Sequence, residues 1–209
     1  MQSNASMEVR QAIADIAEVR DRLATVQRFG GYSGWAAIAS GLVAVAAGAV
    51  QAAAAAHPTA ATARAYLSIW LWCLFAALAI NYGAILVWRA RNRDTQSRHQ
   101  IRTVGMSILP AIAAGGVITA ALVRHGMFTL LPGMWCATYA LGLFASRALV
   151  PHAVVYVAVA FGAAATLLLL APGTSALSWW VMPVAFGAGQ IAIGAIVLAD
   201  RKPPRRSRR

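Results

Sequence analysis

Three polar side chains inside long apolar stretches are the first candidates for chemistry: the amides of Asn81 and Gln190 and the phenol of Tyr139. An amide without a hydrogen-bond partner is costly in a hydrocarbon interior, so each of these groups needs a partner. Such side chains can line a small cavity that binds a neutral solute. They can equally bond one helix to another without any ligand. The residues alone leave both interpretations open.

Residue types that perform catalysis or hold a cofactor are missing from the centres of these apolar stretches. Proton relays and ion-coupled transport use ionisable groups at that depth. The two cysteines lie singly in apolar surroundings and the four histidines lie at the edges of apolar stretches: Cys73, Cys136, His57, His99, His125 and His152. None has the spacing of metal or haem ligands. The sequence therefore predicts a non-enzymatic protein without a cofactor or a metal site.

Six apolar stretches form the framework that holds these side chains. Hydrophobic residues make up 60% of the 209 residues, more than a soluble core needs. A helix of about 20 apolar residues crosses a membrane, and six stretches approach or exceed this length: 33–56, 66–88, 103–123, 127–146, 152–171 and 178–199. The sequence predicts an all-α membrane protein, with a six-transmembrane-helix bundle over residues 31–200. Short connections favour antiparallel packing of consecutive helices.

The basic residues predict how this bundle is oriented. If the N-terminus is cytoplasmic, all 18 Lys and Arg except Arg64 and Arg124 lie on the cytoplasmic side, where such residues are enriched. We therefore expect a multi-pass protein of the bacterial cytoplasmic (inner) membrane with both termini in the cytoplasm. The loop Arg89–Arg102 and the basic tail 201–209 are expected to contact anionic lipid headgroups, so their charge does not call for a nucleic-acid partner.

Residues 1–30 are predicted to form a separate amphipathic helix in the cytoplasm. Apolar residues recur there at steps of three and four, which places them on one face of a helix: Val9, Ala12, Ile16, Val19, Leu23 and Val26. Acidic residues offset the arginines of this segment, whereas interfacial helices usually carry a cationic polar face. The apolar face is expected to bind a protein partner or to pack on the basic loop of its own chain, and the pattern does not separate the two.

The apolar stretches also carry a weak internal similarity. Ile80–Ile85 closes the second stretch and Ile191–Ile196 closes the sixth with a similar order of Gly, Ala and Ile. Internal repeats are common in membrane folds, so the bundle is interpreted as three repeated helical hairpins. The alternative is a chance match, because these residues are abundant throughout the chain.

Proline and glycine predict two further features. Pro110 predicts an interruption of the third stretch, and in transporters such breaks free backbone groups to bind a solute. Small residues four positions apart predict close contact between helices. These pairs are Gly30 with Gly34, Ala44 with Gly48, and Ala185 with Gly189.

The junction between the N-terminal segment and the first apolar stretch carries a resemblance. Val26-Gln27-Arg28-Phe29 is followed by Ser33-Gly34. This resembles a family of small uncharacterised bacterial membrane proteins in which an S-x-R-F-x-x-x-S-G type stretch precedes six predicted spans. Val26 stands where that family has Ser. The resemblance implies a fold and a compartment, and it transfers no catalytic residue.

The sequence thus favours a regulatory or scaffolding protein that acts through its cytoplasmic helix. The residues expected to face a partner are Val9, Ile16, Val19, Leu23 and Val26. The alternative is a facilitator or channel for a small neutral or weakly polar solute, with Asn81, Tyr139 and Gln190 lining its cavity. A continuous polar path would favour the alternative, whereas an interior filled by side chains would count against it. A homo-oligomer is compatible with either function.

Overall fold

The protein is helical throughout the part of the chain that the structure describes. This structure, a computed structural model, describes residues 11, 32–54, 62–91, 95–171 and 173–201. In residues 95–108 it describes the backbone and the side chain of Met106 alone. The predicted N-terminal helix with Val9, Ile16, Val19, Leu23 and Val26 lies outside the described residues, as does the basic tail beyond residue 201.

Six helices and no strand are present in the described residues. They are α1 (Gly34–Ala54), α2 (Ala63–Arg91), α3 (Thr95–Arg124), α4 (Leu131–Ala145), α5 (Val154–Leu170) and α6 (Ala188–Asp200). Short 3-10 turns at Phe128–Leu130 and Thr174–Leu177 precede α4 and follow α5, and a π-helical segment, Pro183–Gly187, leads directly into α6. The predicted all-α class is confirmed.

Local chemistry explains where several helices begin and end. The Ser33 hydroxyl accepts a hydrogen bond from the Ala36 N–H at 3.3 Å and so caps the first turn of α1. At the end of α3, Gly126 adopts a positive φ of 69° and Met127 N–H bonds back to the Leu122 carbonyl. This is the bonding of a glycine cap that ends a helix. Pro132 then lies in the first turn of α4, where no backbone N–H is needed.

Among the described residues, four segments are long and apolar enough to cross a membrane by length and composition. They are Gly34–Ala54, Ala63–Arg91, Phe128–Ala145 and Pro183–Asp200. The other two apolar segments, Leu109–Arg124 and Val154–Leu170, are shorter. These helices support a membrane-embedded protein.

The helices form two groups of three. In the first group, α1 packs against both α2 and α6, and in the second group α4 packs against both α3 and α5. The contact between α5 and α6 is smaller than these contacts. Consecutive helices therefore pair in the first two hairpins, whereas the most extensive contact of α6 is with α1. The threefold hairpin repeat stays a prediction.

Glycines at seven-residue spacing bring α1 and α6 together. Gly34, Gly41 and Gly48 lie on one side of α1, opposite Gly187 and Gly194. A Cβ on Gly41 would lie 2.7 Å from the Gly187 carbonyl oxygen, and a Cβ on Gly194 would lie 2.5 Å from the Gly34 carbonyl oxygen. These five glycines, called here the glycine seam, let two antiparallel backbones touch, as small residues do in membrane helices.

Two expectations about proline and small residues differ from the structure. The interruption predicted at Pro110 is not found, because α3 continues through this residue. Pro110 is exposed, and proline is common in membrane helices, where a helix can continue without the one hydrogen bond that proline cannot donate. Gly189, predicted to mediate a close helix contact, faces the ring of Phe161 in α5 instead of a backbone.

Candidate functional site

A buried amide, that of Gln51, joins two helices of the first group and a turn. The Gln51 side chain is 1% exposed, donates to the Leu177 carbonyl at 2.7 Å and accepts from the Trp70 indole N–H at 2.8 Å. Gln51 thereby bonds α1 to α2 and to the turn that follows α5. Both polar ends of the amide are satisfied, as a buried amide requires.

The second amide, Asn81, also bonds helix to helix. Its Nδ2 donates to the Ser40 hydroxyl at 2.6 Å and to the Ala77 carbonyl at 2.8 Å. The Ser40 hydroxyl in turn donates to the Ala36 carbonyl at 2.8 Å. Asn81 was a candidate for lining a cavity, and its described bonds link α2 to α1.

Tyr139 and Gln190, the other two cavity candidates, are brought together. The Gln190 Nε2 donates to the Tyr139 hydroxyl at 2.7 Å, which bonds α6 to α4 across the two groups. The Tyr139 ring packs against the rings of Phe161 and Phe186, with centroids 4.7 and 5.3 Å away. The Gln190 Oε1 is buried without a hydrogen-bond partner in the described part of the chain.

A second unpaired polar atom is on α2, where Tyr66 faces Trp135 near the start of α4. Tyr66 is 2% exposed, and its hydroxyl has no hydrogen-bond partner among the described residues. Its ring lies parallel to that of Trp135, with an interplanar angle of 4° and centroids 6.2 Å apart. The Trp135 indole N–H donates to the Thr119 hydroxyl at 2.9 Å, so this indole is already paired.

These rings form one surface between the two helix groups. We define the aromatic interface as Tyr66 and Phe186 from the first group with Trp135, Tyr139 and Phe161 from the second. Phe186 packs against both the cluster that contains Tyr66 and the cluster that contains Tyr139. Phe186 therefore connects the cluster at the start of α2 with the rings beside Tyr139.

No group at this interface carries a charge at neutral pH. Cys73 and Cys136 are buried free thiols, and no cluster of three metal-ligating side chains occurs within the described residues. Tyr32, which precedes α1, packs against the same buried cluster as Tyr139. Loss of hydration raises the pKa of Tyr32 to about 12, so its hydroxyl is also neutral. The chemistry available is hydrogen bonding by uncharged groups.

Sequence reasoning did not single out Gln51, Ser40 or Tyr66. Gln51 is a lone amide within an apolar run, the same signal that identified Asn81 and Gln190. Tyr66 begins an apolar stretch, where a tyrosine usually marks a membrane interface. Its near-complete burial follows from the turns that cover it, and a single stretch does not reveal those turns.

Comparison with known proteins yields no relative: no family model, no curated protein and no solved structure matches this chain. The geometry of the molecule therefore carries the functional argument.

Proposed function

We propose that this chain is a non-enzymatic integral membrane protein that regulates or scaffolds a protein partner through its cytoplasmic helix, residues 1–30. One observation carries the proposal most directly: the amides of Gln51 and Asn81 hydrogen-bond across helix interfaces. An interior bonded in this way counts against a solute channel. The apolar face of residues 1–30 is then the feature that can bind a partner.

The proposed topology has six spans in a bacterial inner membrane, with both termini in the cytoplasm. The antiparallel contact of Gly34 with Gly194 supports it, because it brings the start of α1 and the end of α6 together. Arg201 accordingly donates to the Tyr32 carbonyl at 2.7 Å. The 17 residues of α5 extend about 25 Å, slightly less than the hydrocarbon core of about 30 Å. The two shorter apolar helices therefore fit the proposal when their axes lie close to the membrane normal.

A facilitator for a small neutral solute is the second candidate function. The observation that favours it is the buried Gln190 Oε1, which has no partner and lies beside the Tyr139 hydroxyl. A solute with a hydrogen-bond donor would satisfy that oxygen. The same purified protein tests both candidates.

The test of the scaffold is a pull-down from native membranes in a mild detergent. We would compare the intact chain with a variant that carries Ile16→Ser, Val19→Ser and Leu23→Ser. A partner that binds through the apolar face should copurify stoichiometrically with the intact chain and be lost from the variant at equal folded yield. The loss is expected because three apolar side chains that the partner would bury become polar.

The matched control carries Ala14→Ser, Ala17→Ser and Ala24→Ser, which lie away from the apolar face of the same helix. This variant should retain the partner. If all three proteins purify alone, the scaffold proposal fails. Flux of urea and glycerol into proteoliposomes then decides whether the facilitator replaces it.

Labelling of single cysteines in intact cells tests the topology. Cys73 and Cys136 are buried, so their background reaction with a membrane-impermeant maleimide should be low. Thr59→Cys, between α1 and α2, should react in intact spheroplasts, and Ser207→Cys, in the tail, should react after permeabilisation alone. Reaction of the tail cysteine in intact spheroplasts would contradict the proposed orientation.

A further inference from the structure

Two exposed aromatic side chains mark one end of the bundle. Trp35 in the first turn of α1 is 70% exposed, and Tyr156 in the first turn of α5 is 78% exposed. Tyr32 packs against the cluster that contains Val154, so these two helices begin at the same end. Tryptophan and tyrosine are enriched where the hydrocarbon of a membrane meets the headgroups. Trp35 and Tyr156 therefore indicate one edge of the apolar layer.

Two further exposed rings mark the opposite end. Trp72 in α2 is 75% exposed, and Trp179, two positions beyond Leu177, is also exposed. Trp70 bonds to Gln51 near the end of α1, and Gln51 bonds to the Leu177 carbonyl. These bonds bring the turn of α2 that carries Trp72 and the segment that carries Trp179 to the same end. Trp72 and Trp179 therefore indicate the second edge.

Along α1 the two edges are close together. A Cβ on Gly48 would lie 3.2 Å from the Trp179 carbonyl oxygen, so Gly48 is level with the second edge. Gly48 is 13 positions after Trp35, which corresponds to about 20 Å of helix. An ordinary hydrocarbon core is about 30 Å thick. The layer indicated by these aromatic side chains is therefore thin.

The exposed side of α2 gives a similar distance. Phe75, Leu86 and Val87 are exposed there, and Arg89 is the first charged residue after Trp72. Since α2 runs antiparallel to α1, Arg89 lies toward the end where α1 begins. Arg89 is 17 positions after Trp72, or about 25 Å of helix. A charged side chain is costly in hydrocarbon, so the lipid-facing apolar surface of α2 ends at Arg89.

The length of α5 sets the same limit. Its 17 residues extend about 25 Å. At its end, Ala171 leaves the helical conformation, with φ of −119° and ψ of 61°. The turn that follows is held to α1 by the bond between Gln51 and the Leu177 carbonyl. A long helix such as α2 fits a thin layer by tilting, whereas a short helix cannot lengthen to fit a thick one.

We infer that this protein occupies a hydrocarbon layer of about 20–25 Å, thinner than the usual core of about 30 Å. Its lipid-facing surface therefore binds phospholipids with short acyl chains in preference to those with long chains. A thicker layer would draw Arg89 or the polar turns beside α5 into hydrocarbon, which is unfavourable. The inference rests on the proposed six spans, because α5 must cross the membrane, and it adds the class of lipid that surrounds them.

Competition between lipids at the surface of the intact protein tests the inference. The protein is reconstituted with dibrominated dioleoyl phosphatidylcholine, which quenches exposed tryptophans such as Trp35 and Trp72. Dimyristoleoyl, dioleoyl or dierucoyl phosphatidylcholine, in order of increasing chain length, is then added as the competitor. We expect the shortest lipid to bind about twofold more tightly than dioleoyl, and the longest about twofold less tightly, because mismatch costs free energy. Equal binding of all three, or a preference for the longest, overturns the inference.

Trp72→Leu combined with Tyr156→Leu removes one marker from each edge. Both side chains are exposed, so the fold should persist, and the apolar surface becomes longer. The preference for the shortest lipid over dioleoyl should fall by about twofold. Phe75→Leu combined with Val159→Leu, exposed on the same two helices but inside the layer, is the matched control and should keep the full preference. An unchanged preference in the first variant overturns the assignment of the edges.

Cysteine labelling separates a failure of this inference from a failure of the proposed spans. Ala148→Cys and Ser175→Cys are at exposed positions before and after α5. If α5 crosses the membrane, Ser175→Cys reacts in intact spheroplasts and Ala148→Cys reacts after permeabilisation alone. Labelling of both from one side overturns the spans and this inference with them. Labelling from opposite sides without a preference for short chains overturns the thin layer alone.

Discussion

The glycine seam and the aromatic interface are two different ways to join helices in one small molecule. At the seam, α1 and α6 touch through backbone atoms, and a Cβ on Gly41 would lie only 2.7 Å from the Gly187 carbonyl oxygen. At the aromatic interface, rings such as Phe161 and Phe186 keep the helices apart, with centroids at 5.0 Å. The two buried polar atoms that have no partner in the described part of the chain are both at the second contact.

This difference shows where the bundle can change. Backbone contact is stabilised by dispersion forces between many atoms, and it leaves no room for a bound molecule. The rings of Phe161 and Phe186 meet edge to face, and the nearby Gln190 Oε1 has no partner in the described part of the chain. We therefore expect the first group to behave as a rigid unit, and the contact between the groups to be the adaptable part.

The largest effect should come from adding a side chain to the seam. Gly41→Leu forces α1 and α6 apart, because the new Cβ meets the Gly187 carbonyl and the backbone of Ile191. We expect the free energy of unfolding to fall by about 3 kcal/mol, toward the upper end for overpacked interiors. Unfolding in mixed micelles, followed by circular dichroism, measures the loss.

Gly83→Leu is the control for that substitution. Gly83 is also a helical glycine, yet no atom lies within 4 Å of the position that its Cβ would occupy. Its unfolding free energy should change by less than about 1 kcal/mol, since leucine has the better helix propensity. Equal losses in the two variants would refute the special role of the seam.

An intermediate effect should distinguish the two buried glutamines. Gln51→Leu leaves both the Trp70 indole and the Leu177 carbonyl without a partner, so we expect a loss of about 2 kcal/mol. Gln190→Leu breaks a single bond, to Tyr139, and also removes an unpaired oxygen. Its loss should be about 0.5 kcal/mol. A larger loss at Gln190 than at Gln51 would reverse the comparison.

Much of the helical framework could be predicted from apolar length alone. The stretch 33–56 encloses α1, and 152–171 encloses α5, because a long apolar run in a helix satisfies its own backbone in lipid. Pro110 misled the prediction, since a membrane helix can continue through a proline and lose only the hydrogen bond that proline cannot donate.

The contacts between distant helices were harder to predict. The seam depends on Gly34 and Gly41 matching Gly194 and Gly187, more than 140 positions away. The predicted contacts used small residues four positions apart, whereas the glycines of the seam repeat every seven residues. Of the cavity candidates, the structure pairs Tyr139 with Gln190, and this pairing requires knowledge of which helices meet.

The smallest expected effect concerns how strongly each glutamine is coupled to its aromatic partner. The bond from Trp70 to Gln51 and the bond from Gln190 to Tyr139 have similar lengths, 2.8 and 2.7 Å. A double-mutant cycle with Gln51→Leu and Trp70→Phe should give a coupling energy of about 1 kcal/mol, within the range for hydrogen bonds between membrane helices. Thermal or mixed-micelle unfolding of the four proteins provides the numbers.

The cycle with Gln190→Leu and Tyr139→Phe should give less, about 0.5 kcal/mol. Two bonds of equal length differ in coupling when the partner left behind by a mutation can bond to something else. At the first bond the surroundings are closed by Gly48 and the Leu177 turn. At the second, the Gln190 amide already has an oxygen without a partner in the described part of the chain, so the contact is less completely bonded. Equal coupling energies would mean that the aromatic interface is as closed as the first group.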